Sequence, residues 1–289
     1  MYDYQQEVRM NDFPTGKPHV SYSEIKNWKE CSYRHKLLYV DGLQEYNPSP
    51  YADFGTALHN AIELFLKTKK MDIEKCLSEI DNAWKTNLYE GPEYLEKMKD
   101  HSWYKNEPVE TWKSYAKTIL ESFPSWIDNE FLEWELVDAE HELYEKIQGE
   151  SISFKGFVDC IIKAKSKRGK DLLWIIDWKT TGKYGWIPKK KRDFLTTAQV
   201  GFYKKYISKK LEIEMKDIRC AYVFLKRGAL PEKCIESFTV SVGPKFLEKI
   251  DKLLNSMIKS VRKGMALKNY SSCKFCPFTN TEHCSGKGW

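Results

Sequence analysis

No run of roughly 18 consecutive apolar residues occurs in this 289-residue sequence, so a membrane-spanning helix is not expected. The opening MYDYQQEVRM has none of the apolar core of a signal peptide, which makes a cytoplasmic protein the expectation. No G-x-x-x-x-G-K-[ST] stretch is present, which sets aside a nucleotide-driven motor. Internal repeats and low-complexity tracts are also missing. With 42% hydrophobic and 30% charged residues, the chain has the balance of a globular protein able to bury a core. Two segments have no acid at all, KAKSKRGK (163–170) and KKKR (189–192), although the net charge is only +6. A solvated loop is the ordinary reading of a lysine run, but two such runs flanking one candidate site suit a polyanionic substrate better.

Those two basic runs bracket LLWIIDWKTTGKYGW (172–186). Its first half reads as a buried strand ending in Asp177, Trp178 and Lys179. A strand repeats every two residues, so Asp177 and Lys179 project to one side. A charged pair on so apolar a strand is costly unless each member finds a partner. A structural ion pair satisfies that requirement, and so does a metal-binding carboxylate beside a catalytic ammonium.

The preceding FKGFVDCII reads as the other arm of a hairpin whose tip is Arg168-Gly169. Centring the hairpin on Arg168 sets Asp159 opposite Asp177, within a few ångströms on one face. Carboxylates that close repel unless a cation lies between them, and a slip of one residue would part them.

Elsewhere the pattern alternates. VSYSEIKNWKECSYRHKLLYV (20–40) predicts a helix capped by Ser21, with Glu24 completing a capping box. FGTALHNAIELFLK (54–67) predicts a second, with a stripe of Leu58, Ala61, Ile62, Phe65 and Leu66 and with His59 and Glu63 along its border. Residues 70–133 read as helices broken at Gly91-Pro92 and Glu107-Pro108. From 134 onward strands dominate, interleaved with helices over 196–211 and 244–265. The fold class is α/β, a central mixed sheet flanked by helices with a helical insertion.

In this order the motifs resemble the PD-(D/E)XK nuclease superfamily, in its RecB-like exonuclease branch. GTALHNAIE is similar to that branch's Gly-x-x-x-His motif, GFVDCII to its first acidic motif, IIDWKTT to its second, and QVGFY to its Gln-x-x-x-Tyr motif. The resemblance implies a restriction-endonuclease-like core over 134–265, preceded by N-terminal helices over 1–69 and an insertion over 70–133, with a C-terminal cysteine segment over 266–289. It implies that His59, Asp159, Asp177 and the Trp178 carbonyl hold Mg²⁺ or Mn²⁺, with Asp159, Asp177, Lys179, Gln199 and Tyr203 as the catalytic set. Glu140 and Glu63 are candidate accessory acids, each with an ordinary structural reading.

Eight cysteines in a cytoplasmic chain are not expected to pair as disulfides. Cys76, Cys160, Cys220 and Cys234 lie in apolar or mixed segments and read as small core residues. Cys273, Cys276 and Cys284 form a C-x2-C-x7-C group that wants a fourth ligand, either His283 for zinc or Cys31. RecB-like nucleases with an iron–sulfur staple, similar to AddB-type and CRISPR adaptation enzymes, place one cysteine ahead of the His motif and three at the C-terminus. That resemblance assigns Cys31, Cys273, Cys276 and Cys284 to a [4Fe–4S] cluster, with structural Zn²⁺ as the alternative.

The expected substrate is DNA, single-stranded or at duplex ends, gripped by Lys183, Trp186, Lys189, Lys190, Lys191 and Arg192. Tyr184 and Trp186 are candidates to stack on bases, Trp174 to pack in the core. Exonucleolytic work in recombination, repair or replication follows from the resemblance, with recombination or replication proteins as partners, no membrane role, and the host cytoplasm as location if the protein is phage-encoded. A non-catalytic DNA-binding subunit and a structure-specific endonuclease are the rival readings.

Overall fold

Near-continuous apolar runs make strands that are covered on both faces, and two such strands form the middle of a mixed sheet here. The structure, a computed structural model, describes residues 13–43, 48–99 and 104–286. In chain order the elements are β1 (His19–Ser21), α1 (Tyr22–Glu30), α2 (Ser32–His35), a π-helical turn (Lys36–Val40), α3 (Pro50–Thr68), α4 (Ile73–Thr86), α5 (Pro92–Met98), α6 (Val109–Glu130), β2 (Leu132–Lys146), β3 (Ser153–Lys165), β4 (Asp171–Gly182), α7 (Pro188–Arg192), α8 (Phe194–Lys210), β5 (Ile218–Arg227), β6 (Ile235–Val240) and α9 (Pro244–Arg262), followed by a 3-10 turn (Tyr270–Phe275). The chain divides into two compact units, and neither is one continuous stretch.

The larger unit holds described residues within 48–141 and 157–243. Its sheet runs β3-β4-β5-β6, with β2 also paired to β3. β3 and β4 are antiparallel, β4 and β5 parallel, β5 and β6 antiparallel. The parallel step requires a crossover, and α7 and α8 supply it. Alternate residues of β5 serve opposite faces: Val223 and Leu225 join the core built by α3, α4 and α6, while the Cys220 Sγ and Tyr222 OH donate to the carbonyls of Val200 and Thr196 on α8. The expected α/β class, a mixed sheet flanked by helices, is what the chain adopts.

The α3 stripe behaves as its period predicts, with Leu58, Ala61, Ile62, Phe65 and Leu66 all buried. The helices over 73–130 do not pack by themselves. Trp84, Trp112, Leu120 and Phe123 share one apolar core with α3 and with Cys160, Ile176 and Trp178 of the sheet. Cys76, Cys160, Cys220 and Cys234 are buried, as expected of small core residues.

The smaller unit holds described residues 13–43, 142–156 and 244–286. β1 runs parallel to Ser153–Lys155 at the start of β3, and α1 packs against α9. The single helix expected over 20–40 is interrupted. Cys31 is extended (φ −161°, ψ 107°), ending α1 and capping α2 by accepting from the Arg34 amide. Half of the expected capping box forms. Ser21 Oγ accepts from Glu24 N at 3.2 Å, but the Glu24 carboxylate turns instead to buried His35, 3.0 Å away. An internal hydrogen-bond partner has outcompeted the local backbone amide.

Candidate active site

The β3–β4 ladder extends from Lys165–Asp171 to Cys160–Ile176, the register that centring on Arg168 predicts. One step beyond its last pair stand Asp159 and Asp177. Here the Trp178 amide no longer donates across the ladder; it donates to Asp159 Oδ2 at 2.7 Å. A residue's amide and carbonyl leave a strand on the same side, so the Trp178 carbonyl is directed into the same fork. Burial lowers the His59 ring's affinity for a proton, and Asp177 and the Trp178 backbone oppose that only in part. The ring is therefore neutral near pH 7, the form that can ligate a metal.

His59 reaches the fork from α3, its Nδ1 3.8 Å from Asp159 Oδ2. Gly55, one turn earlier, explains how the helix comes so close. A Cβ built there would lie 3.3 Å from Thr180 Oγ1 on β4. A larger side chain at 55 would hold α3 off the strand and carry His59 with it.

Asp177 is fully buried. Its Oδ2 faces the Lys179 ammonium at 2.5 Å, an ion pair whose angles do not make a hydrogen bond, and Oδ1 has no partner. Burial works against the ammonium, yet Asp177 and Asp159 more than offset it and hold Lys179 charged above the usual lysine range. Burial first, and then the neighbouring Asp177, push the Asp159 carboxyl well above its ordinary value. Glu140 is shifted the same way, by burial and then by Glu63 and Asp177. On α8, Gln199 Nε2 donates to Tyr203 OH at 2.9 Å, and burial beside Asp177 raises that phenol well above its normal range.

These are the marks of a cation site. His59, Glu140 and Asp159 each offer a ligand atom, all within 4.8 Å of one another, and among the described residues no other such group of three occurs. Two carboxylates with one neutral imidazole, next to an orphaned buried carboxylate oxygen on Asp177, suit a hard divalent ion such as Mg²⁺ or Mn²⁺. Glu140 is the member that sequence patterning undervalued. Along β2 the inward positions are even-numbered up to Asp138 and odd-numbered from Ala139, and Glu140 itself has φ 55°. A bulge of this kind re-aims one side chain and erases the alternation that would have revealed it. Glu63, the other accessory candidate, is paired with Lys67 along α3 at 2.5 Å.

The basic residues divide. In the first run, Lys163 and Lys165 pair with Asp171, and Lys170 pairs with Asp217. That run forms the tip of the β3–β4 hairpin, where Lys167 and Arg168 remain exposed. In the second, Lys189, Lys190 and Arg192 are exposed, as is Lys183 before it. Lys191 is tied to Glu236 at 2.7 Å, and Trp186 packs over Tyr222 and Phe224 with centroids 5.0 and 4.9 Å away. Trp174 packs edge-on to Phe131.

In the smaller unit, Cys31, Cys273, Cys276 and Cys284 line one pocket. Cys31 Sγ accepts from the amides of Arg34 and Asn269 at 3.5 and 3.4 Å. His283 is not among the lining residues.

The chain is similar over 96% of its length, at 11% identity and a TM-score of 0.52, to 91% of a crystal structure named "Putative exonuclease" from Eubacterium rectale. A crystal structure of SSO0001 aligns with 89% of the chain and 93% of its own length, at 16% identity and a TM-score of 0.31. No curated protein sequence matches. The sequence pattern of the PD-(D/E)XK nuclease superfamily matches residues 19–281, with the forked strands and their acids inside it. The chain belongs to the PD-(D/E)XK nuclease superfamily.

Proposed function

We propose that the protein is a metal-dependent DNA nuclease of the RecB-like type, acting as an exonuclease on single strands or duplex ends. The observation that carries this reading is the orphaned Asp177 Oδ1, buried beside Lys179 and across the fork from Asp159 and His59. His59, Glu140, Asp159, Asp177 and the Trp178 carbonyl would hold the cation. When bound, a divalent ion supplies Lewis-acid activation of the attacking water and neutralises phosphate charge.

The remaining work falls to the chain. Water attacks phosphorus in line, a P–O bond forms, and the bond to the leaving sugar oxygen breaks. The transition state carries more negative charge than the diester, and the Lys179 ammonium, fixed by Asp177, stands ready to stabilise it or to orient the water. Asp159 keeps one oxygen on the Trp178 amide, which fixes its carboxylate plane. Gln199 holds the Tyr203 hydroxyl, and the pair positions the backbone phosphate or the lysine. Exposed Lys183, Lys189, Lys190 and Arg192 grip flanking phosphates. Recombination, repair or replication is the setting that suits such an enzyme.

The test is cleavage of end-labelled single- and double-stranded DNA with Mg²⁺, Mn²⁺ or EDTA. Metal-dependent release of mononucleotides is expected. Discrete internal fragments would favour the structure-specific endonuclease, and binding without cleavage the DNA-binding subunit.

The four-cysteine cavity supports a [4Fe–4S] cluster over zinc. Around one zinc ion, sulfurs at a Zn–S length of about 2.3 Å lie about 3.8 Å apart. A cubane spreads its four thiolates more widely than one zinc ion does, which suits four cysteines brought together from two distant stretches of chain. The amides donated to Cys31 would stabilise a cluster thiolate. Anaerobically purified protein is expected to be brown, with iron and acid-labile sulfide in equal amounts. Both are expected to be lost in Cys31→Ser. A colourless protein with stoichiometric zinc would overturn the assignment.

A further inference from the structure

Tyr184 is 85% exposed, more than any other large apolar side chain among the described residues. It stands at the tip of a tight turn that closes when the Gly185 amide donates to the Gly182 carbonyl at 2.9 Å. Gly185 takes φ 66°, a left-handed conformation that favours glycine, with Phe224 and Lys226 within contact distance of the turn. The turn is held on both sides. Before it, β4 stays paired with β5 through Gly182 opposite Arg227. After it, Trp186 packs on Tyr222 and Phe224, and the Lys190 ammonium lies 4.6 Å from its ring centre. So the phenol is presented to water by an anchored loop and is not left there by a slack one.

Along the chain its neighbours are of one sign, and the nearby Glu236 carboxylate is already paired with Lys191 and Lys226. From Trp178 to Arg192 there is no acidic residue, while Lys183, Lys189, Lys190 and Arg192 are exposed. Lys183 Nζ sits 5.3 Å from the Tyr184 ring centre. An aromatic face among cations is how proteins bind single-stranded nucleic acid: the cations follow the phosphates and the ring stacks on a base of any identity. The turn also follows directly from Lys179, since at about 3.3 Å per residue the end of β4 lies roughly 10 Å along the strand from it.

We propose that Tyr184 is a stacking platform for an unpaired nucleobase within a few nucleotides of the scissile phosphate, so that the enzyme engages its substrate as a single strand. This rests on the nuclease reading of the adjacent fork and adds to it a residue that selects for bases. Trp186, the more obvious aromatic in the sequence, serves to hold the platform in place.

The test compares two labelled oligonucleotides of equal length and charge, one of thymidine and one of abasic sites, binding to the full chain in EDTA so that cleavage does not intervene. Wild type is expected to prefer the base-bearing strand. Tyr184→Ala should weaken that strand roughly tenfold or more and leave the abasic strand unchanged, whereas Tyr184→Trp should keep the preference. Thermal unfolding of the alanine variant should match wild type, since the side chain packs on little. Lys183→Ala with Lys189→Ala should weaken both strands alike and flatten the salt dependence. An alanine variant that discriminates as wild type does would overturn the platform and leave the nuclease reading intact. Wild type that binds neither strand would overturn both.

Discussion

Lys179→Ala is expected to lose cleavage by about 10²- to 10³-fold or more, the size of effect seen when a single preorganised charge-stabilising donor is removed. It should still show the rise in melting temperature that Mn²⁺ gives the wild type, because no proposed ligand is lost. Stability in EDTA should fall as well. Asp177 is fully buried, and Lys179 is its ion-pair partner at 2.5 Å. Removing one partner of a wholly buried pair costs about 3–5 kcal/mol. Here the lysine side chain is 32% exposed, so the loss should be smaller. Mn²⁺ should recover part of it by supplying the missing positive charge. Cleavage of end-labelled DNA and thermal melts with and without the cation check both halves. A variant that cleaves at the wild-type rate would remove Lys179 from the reaction, and a variant that Mn²⁺ no longer stabilises would move it into the metal site.

That pair is legible in the sequence because a strand's period of two is rigid. Once Asp177 and Lys179 sit on one strand, their common face follows, and the hairpin tip at Arg168-Gly169 fixes which residue stands across from them. Helical periodicity serves equally well on α3, where every residue of the expected stripe is buried. What spacing does not reveal are the places where a local rule is overridden. Glu140 lies on a bulge, so the alternation that would assign its direction fails at that residue. Cys31 takes an extended conformation in the middle of a sequence with a helical pattern, and no residue near it is a helix breaker. Glu24 has a good capping box available and leaves it for His35, eleven residues on, because a buried partner outweighs an exposed amide. The lysine runs are a fourth case. Composition shows that both are basic, but only the fold shows that Asp171 and Asp217 pair with Lys163, Lys165 and Lys170 of the first and that Lys189, Lys190 and Arg192 of the second remain exposed. In these cases neither spacing nor propensity specifies the outcome.

One of these exceptions, Glu140, stands with the acids of the site, and there the sign of one further mutation is informative. Asp159→Asn should make the protein more stable in EDTA and should abolish its response to Mn²⁺. In the fold, burial and then the Asp177 charge hold the Asp159 carboxyl well above the ordinary 3.8. The folded state therefore binds that proton more tightly than the unfolded chain does. Stability from this group is present at low pH and declines as pH rises above about 3.8 towards the folded-state value, where the buried acid must ionise against its neighbours. Asparagine removes that cost and can still accept the Trp178 amide through its side-chain oxygen. The variant should melt a few degrees above wild type near neutral pH, given that about 1 kcal/mol moves a chain of this size by roughly 2–4 °C. The gap should close as pH falls towards 4. Wild type with Mn²⁺ should reverse the order, because the cation favours the ionised carboxylates, and the Mn²⁺-induced rise should grow between about pH 5 and 8 as competing protons leave. Melting curves across that range, with EDTA and with Mn²⁺, distinguish this from a simple packing role. A structural aspartate would melt lower when replaced, under both conditions. An acid kept at a thermodynamic loss for the sake of a cation would melt higher without the cation and lower with it, and it is the crossing of those two curves that would assign Asp159 to the metal.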